Sequence, residues 1–314
     1  MDFLRILEGL RTPFLDGFFS LITEIGGETV FLVVSIIFFW CVNKREGYYI
    51  LLTGLFGTLL NQTLKLAFRI PRPWVLDESF TIVESAREAA TGYSFPSGHT
   101  QNVASTFGAI GVYNRKVRFV PIATVVVILL VSFSRMYLGV HTPLDVGVSL
   151  LTSAVLVFGF YHLFKTEERF KKAFPYIVIS AVVLSAAFLA FVLIISPDKS
   201  LDPHNLESGL KNATTLLGCT AGLVLVYFID GKFTDFKTEA RWYAQIIKAI
   251  LGFGILLLIK ELTRSPLEAI FGNIYLARAV RYFLVVAFAG AVWPLTFKWF
   301  SKMRISFLEK KKNS

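Results

Sequence analysis

Charged residues are scarce in this chain of 314: they make up 17% of it. A soluble domain of this length carries about 25%, so the bulk of the chain is not a water-facing globule. Cysteine is nearly absent. The two that occur, Cys41 and Cys219, lie in apolar stretches, where a buried apolar role is the ordinary one, and they say little about redox compartment. No low-complexity run, soluble domain or convincing internal repeat interrupts the chain. A cleavable signal peptide is not expected either. The first eleven residues contain Asp2, Arg5, Glu8 and Arg11 and no apolar core.

What the chain does have is length of apolar run. Hydrophobic residues make up 54% of it and the mean hydropathy is +0.61. About 20 consecutive apolar residues cross the hydrocarbon layer as a helix. The runs predict an all-α integral membrane protein of about nine transmembrane helices, near 27–42, 47–68, 98–113, 119–139, 143–164, 174–195, 211–230, 243–262 and 279–300. The first run is short and can extend back through Phe18. Ahead of it, Phe3, Leu4, Ile6, Leu7 and Leu10 alternate at helical spacing with Arg5, Glu8 and Arg11. That pattern predicts an amphipathic helix lying in the interface. The chain then divides into an interfacial segment (1–26), a core (27–164), further spans of unassigned role (165–300) and a basic tail (301–314).

The net charge of +10 is read by the membrane rule before any nucleic-acid reading, because the basic residues gather in short loops and the tail. With the N-terminus outside, 18 of the 32 Lys and Arg fall on the inner side, Lys248 falls within a span and 13 fall outside. The bias predicts an extracytoplasmic N-terminus and a cytoplasmic C-terminus. No nucleic-acid partner is expected, and a homo-oligomer is left open.

In that topology three segments meet at the outer face. Lys65, Arg72 and Pro73 end the second span. Pro96, Ser97, Gly98 and His99 open the third. Ser134, Arg135, His141 and Asp145 lie between the fourth and fifth. Arg72 and Arg135 offer planar forks of donors to phosphate oxygens, and Lys65 adds a compact positive charge. Ser97 and Gly98 sit where a helix begins, so free N–H groups point at an anion. If the fifth helix starts near Pro143, Asp145 lies one turn from His141. A carboxylate bonded to one ring nitrogen leaves the other free to attack. His99, with no comparable carboxylate in sequence, is the natural general acid. Ionisable residues at membrane depth are functional by default, which outweighs the reading of Lys65 and Arg72 as snorkelling anchors.

These residues, KLAFRIPRP, PSGH and SRMYLGVHTPLD, resemble the type 2 phosphatidic acid phosphatase (PAP2) superfamily at every motif position, over roughly residues 47–164. The resemblance implies a PAP2-type helical core and a phosphohistidine formed on His141. It implies Asp145 as the orienting partner and His99 as the general acid. Lys65, Arg72, Ser97, Gly98 and Arg135 would form the phosphate cradle. It implies no metal and no cofactor. Soluble vanadium haloperoxidases share this cradle. The layout of about nine spans is similar to that of the glucose-6-phosphatase and sphingosine-phosphate phosphatase groups.

The expected function is therefore a membrane phosphatase in a bacterial plasma membrane, with its site extracytoplasmic. Its partners would be membrane lipids and a phosphorylated lipid substrate: a polyprenyl diphosphate, phosphatidic acid, phosphatidylglycerol phosphate or a sphingoid phosphate. A sugar-phosphate phosphatase or phosphotransferase is one alternative, and a lipid transporter with a vestigial site another. Several further charges have ordinary readings. Glu24 and Glu28 cap the first span or neutralise the cradle. Asp77, Glu78, Glu84 and Glu88 form a flexible loop rim that could shape substrate entry. Lys260, Glu261, Arg264, Glu268, Arg278 and Arg281 form a solvated face or a headgroup site. His204, beside Asp202 and Glu207, is too sparsely surrounded for a metal site.

Overall fold

The computed structural model describes residues 1–304 apart from Ala89. The basic residues of the expected tail beyond Arg304 lie outside the described residues. Among the described residues there is no strand; the elements are helices and turns. In chain order they are α1 (Asp2–Gly9), α2 (Pro13–Thr23), α3 (Glu28–Ile37), α4 (Lys44–Phe68), α5 (Pro73–Leu76), α6 (Gly98–Tyr113), α7 (Phe119–Tyr137), α8 (Pro143–Phe164), α9 (Glu167–Ile195), α10 (Pro203–Ile229), α11 (Trp242–Leu262), α12 (Arg264–Phe271), α13 (Ile274–Ala287) and α14 (Phe297–Lys302).

The helix starts follow local chemistry. Thr12, Asn43, Ser97, Thr142, Thr166, Asp202 and Asn273 each accept a first-turn N–H with their side chains, which satisfies donors a helix leaves open. Pro13, Pro73, Pro143 and Pro203 stand at first-turn positions, where the missing N–H costs nothing. The helix α4 ends on Arg69 in the left-handed region (φ 53°), whose N–H still bonds the Lys65 carbonyl at 3.0 Å.

Seven helical stretches among the described residues are long and apolar enough to cross a membrane, and an eighth if the pair 13–26 and 28–42, bent by 49°, is one span. Each of the nine apolar runs is helical over most of its length. The shortfall from nine rests on α6, whose 16 residues extend only about 24 Å and are walled in by α4, α7 and α8. The helix α2, which contains Phe18, precedes the predicted first span as the other arm of this bent pair.

The helix α1 differs from a purely interfacial one. Leu4 and Leu7 are buried, and Leu4 packs with Phe80 and Ile82. Arg5 pairs with Asp77 at 2.6 Å, and Glu8 accepts the Thr81 N–H at 2.8 Å. Phe3, Ile6 and Leu10 remain exposed. One apolar face is thus spent on the 77–82 loop and the other is left for lipid. The rim expected to be flexible is braced at two of its four acids, Asp77 by Arg5 and Glu84 by Arg87 at 2.7 Å.

Among the later spans α9 and α10 pack beside α4, and α13 packs on α10. Lys248 is a buried intramembrane cation satisfied by carbonyls, those of Trp40 at 2.7 Å and Thr238 at 3.2 Å, with its Nζ 4.2 Å from the Phe297 ring centre. The expectation of a solvated face around Arg278 and Arg281 is not met at those two positions. Arg278 bonds Thr215 Oγ1 of α10 at 2.7 Å, and Arg281 is buried. Gly218 of α10 lies against the Ala279 carbonyl of α13, where an added Cβ would stand 2.1 Å from that oxygen. Small residues permit this close approach of membrane helices.

A paired substitution checks that contact. Gly218→Ala should destabilise the detergent-solubilised protein by about 1–3 kcal/mol through overpacking. Gly254→Ala, on an exposed helical position with nothing within 4 Å, should be neutral or stabilising by up to about 1 kcal/mol. Equal melting temperatures for the two variants would show that the α10–α13 approach is loose.

Candidate active site

The three motif segments converge on one end of the bundle. Lys65 comes from the last turn of α4, and Arg72 from the turn after it. Ser97 caps α6, with Gly98 and His99 in its first turn. Arg135 lies in the last turn of α7, and Asp145 in the first turn of α8. His141 stands in the five-residue connection between α7 and α8, two residues after Gly139. That glycine has φ +82°, and a Cβ there would meet the Arg11 guanidinium at 2.6 Å and the Phe80 ring at 3.0 Å.

Asp145 is set by its own helix start. It is the third helical residue of α8 in a capping box with Thr142, whose N–H donates to Asp145 Oδ2 at 2.7 Å. The Ser94 hydroxyl donates to the same oxygen at 2.6 Å. His141 Nδ1 faces it at 3.4 Å, within ion-pair range but without hydrogen-bond geometry, so Nδ1 stays unpaired. A small ring rotation would complete the bond.

The other ring nitrogen fixes the tautomer. Arg72 Nη1 lies 2.9 Å from His141 Nε2. A guanidinium only donates, so Nε2 presents its lone pair and Nδ1 carries the proton toward Asp145. Burial first, then the charges of Arg72, Arg135 and Lys65, push the His141 imidazole well below its usual range, which keeps it neutral.

The expectation of an open Arg72 fork is not what the structure holds. Arg72 donates to the carbonyls of Gly92 (3.0 Å), Val140 (2.9 Å) and Thr91 (2.7 Å). Arg135 is the open one. It is fully buried and donates through Nη1 to Thr23 Oγ1 at 2.7 Å, while Nε and Nη2 have no partner. Lys65, 6% exposed, donates one of its three protons to the Tyr93 carbonyl at 2.5 Å. Of these three buried cations, Lys65 and Arg72 lie within electrostatic reach of the buried Asp145 carboxylate. Glu24 is near enough to act electrostatically on Arg135. Such an excess of buried positive charge is costly unless an anion joins it.

The helix start completes the cradle. Ser97 Oγ accepts the Thr100 N–H, and the Ser97 N–H bonds the Asp145 carbonyl at 3.2 Å. The first-turn N–H groups of Gly98 and His99 have no helical acceptor. A Cβ built at Gly98 meets nothing within 4 Å, so the backbone there can be approached closely. His99 is half-buried within electrostatic reach of Arg135, Arg72 and Lys65. A cavity of about 370 Å³, lined by Phe233, Phe236, Lys237, Phe297 and Lys298 among others, contains none of these residues. The functional assignment therefore follows the chemistry of the cradle rather than cavity size.

Thr142 was legible in the sequence as T-x-x-D ahead of an apolar run. Ser94, Thr23 and the Tyr93 carbonyl carried no such signal, because each meets its partner across 28 to 112 positions.

Comparison with known proteins identifies the family. The family described as "PAP2 superfamily" matches residues 46–169, and "PAP2 superfamily phosphatase, transmembrane extension" matches 214–304. An undecaprenyl-diphosphatase of Bacillus subtilis is 31% identical over 164 residues, covering 51% of this chain and 81% of the relative. A phosphatidylglycerophosphatase B of the same organism is 33% identical over 180 residues, covering 52% and 80%. A dihydrosphingosine 1-phosphate phosphatase of Schizosaccharomyces pombe is 22% identical over 300 residues, covering 88% and 69%. No solved structure matches the chain significantly.

The state of His141 sets a pH dependence. Its folded form binds a proton only well below the ordinary value of about 6.5. As pH falls through that value the unfolded chain takes up the proton first, so stability declines. Thermal unfolding in detergent should show this decline, and His141→Asn should lessen it. Inorganic phosphate should raise the melting temperature by binding the cradle. Parallel acid profiles for the two proteins would remove His141 from this account.

Proposed function

The chain belongs to the PAP2 superfamily and is a phosphatase, and from that premise we propose that it hydrolyses a lipid phosphomonoester or diphosphate through a phosphohistidine on His141. The observation that carries this reading is the buried His141 with its Nε2 lone pair on Arg72, its Nδ1 turned to Asp145, and Arg135 and Lys65 within electrostatic reach. The relatives that act on undecaprenyl diphosphate, phosphatidylglycerophosphate and a sphingoid phosphate support a lipid substrate.

In this mechanism the phosphate enters between Arg135, Lys65 and the N–H groups of Gly98 and His99. Arg72 Nη1 turns from Nε2 to a phosphate oxygen, which frees the lone pair. The Nε2–P bond forms as the bond from phosphorus to the leaving oxygen breaks, and His99 gives that oxygen its proton. Negative charge bound beside His99 favours its protonated form. Asp145 stabilises the imidazolium. Water, giving its proton to His99, then attacks phosphorus, and the N–P bond breaks to release phosphate. The donors act where charge spreads over the transferring phosphoryl group. No step calls on a metal.

The same reading takes α6 as a ninth span within its neighbours, the N-terminus as extracytoplasmic and the site as facing away from the cytoplasm of a bacterial plasma membrane, on the strength of the Lys and Arg bias. It treats 27–164 as the catalytic core and 165–300 as an addition. The segment before residue 27 contributes Thr23, the partner of Arg135.

The test is phosphate release by purified protein with EDTA present. The substrates are a polyprenyl diphosphate, phosphatidic acid, phosphatidylglycerol phosphate, a sphingoid phosphate and glucose 6-phosphate. Release should survive EDTA, vanish in His141→Ala and fall on the order of 100-fold in Arg135→Ala. Turnover retained by His141→Ala would overturn the mechanism. Activity on glucose 6-phosphate alone would overturn the lipid assignment.

A further inference from the structure

The helix α10 belongs to the later spans, which carry none of the catalytic motifs, yet its first turns reach the cradle. A cleft of about 10 Å³ runs between α4 and α10. It is lined by Gln62, Lys65 and Leu66, by Gly92 and Tyr93, and by Asn205, Ser208 and Gly209. That is room for roughly one water-sized group. Lys65, whose ammonium has spent one proton on the Tyr93 carbonyl, joins the cleft to the phosphate position. The side chains of Gln62, Asn205 and Ser208 make no hydrogen bond to the protein among the described residues. Two amides and a hydroxyl are therefore available, and no carboxylate lines the cleft.

Several contacts fix α10 there. Gly209 packs on Leu66, one residue from Lys65, where a Cβ would stand 2.8 Å from a Leu66 methyl. Tyr93, whose carbonyl holds Lys65, packs in one cluster with Phe188 and Val192 of α9 and Ala213 and Leu216 of α10. The loop between those helices grips the end of α4, with Asp198 bonded to Arg69 at 2.7 Å. The Ser200 hydroxyl, then Arg69, hold the Asp198 carboxyl down to about 2, so this grip is charged across the working pH range.

We propose that this cleft is a headgroup subsite. In it Gln62, Asn205 and Ser208 hydrogen-bond one oxygen next to the scissile phosphate: an oxygen of the second phosphate of a diphosphate, or a hydroxyl of a glycerol headgroup. The proposal rests on the phosphatase reading above and gives the later spans a part in choosing the substrate. A cationic neighbour such as an ammonium is disfavoured, because Lys65 stands at the cleft and no acid does. An uncharged hydrogen bond contributes about 1 kcal/mol, or roughly fivefold in affinity, so losing two of them exceeds tenfold.

The experiment measures kcat and KM for wild type, Asn205→Ala, Ser208→Ala, Ser208→Thr and the double alanine variant. The substrates are a polyprenyl diphosphate, phosphatidylglycerol phosphate and phosphatidic acid, which carries a phosphate on diacylglycerol alone. The expected result is that the alanine variants lose about tenfold more kcat/KM on one of the first two than on phosphatidic acid. The loss should sit in KM, and Ser208→Thr should restore it. Which of the two substrates responds names the oxygen source. Equal losses on all three would assign the residues a structural role and overturn the subsite. An unchanged ranking in an active protein would overturn the subsite and leave the phosphatase reading standing. Wild-type protein inert on every substrate would overturn both.

Discussion

Three cations buried around one neutral histidine set the terms for the rest of this molecule. Lys65, Arg72 and Arg135 are each at least nine-tenths buried, and charges taken out of water demand hydrogen-bonding partners. The chain supplies them largely from backbone. The carbonyls of Thr91, Gly92 and Tyr93 on one loop and Val140 on another hold Arg72 and Lys65. Carbonyls neutralise less than carboxylates do, so the site stays electropositive while its geometry is fixed. That balance suits a reversible phosphate site: firm enough to aim the side chains, and short of the negative charge that would fill the cradle.

The loops in turn depend on the segments that pack over them. The loop running from Arg72 to Pro96 is covered by α1 through Leu4, Phe80 and Ile82, and by α2 through Phe19 with Ala86, Tyr137 and Val140. Arg11 donates to the carbonyl of Tyr137 at 3.2 Å, the last residue of α7 before the connection that carries His141. The N-terminal segment therefore belongs to the architecture of the site, although no motif residue lies in it. Its Thr23 completes one corner of the cradle.

The later spans stand in a similar relation on the other side. Tyr93 faces two ways: its carbonyl holds Lys65 and its ring packs against α9 and α10. A displacement of α10 would thus be felt at Lys65. Membrane helices gain little hydrophobic energy from one another, since lipid tails are as apolar as leucine. Close backbone approach, as at Gly218 and Ala279, and buried polar links, as from Arg278 to Thr215, hold the two halves together instead.

Much of this was legible in the sequence. Helical apolar runs, caps such as Asn43 and Thr142, and the prolines at helix starts are local features, encoded within a few positions. The spacing of Lys65, Arg72, Ser97, His99, Arg135, His141 and Asp145 placed them at ends of neighbouring helices, and the pair four residues apart placed Asp145 beside His141. What spacing does not encode is which partner satisfies each charge. That Arg72 is bonded by carbonyls while Arg135 keeps two free donors, that Ser94 and Thr142 share one oxygen of Asp145, and that Asn205 and Ser208 flank Lys65 all depend on packing between distant segments. The sequence by itself determined the kind of chemistry, because reactive side chains at helix ends follow local periodicity. Only the tertiary structure decided which donors stand open to a substrate, because a buried charge takes its partners from whatever the fold brings near it.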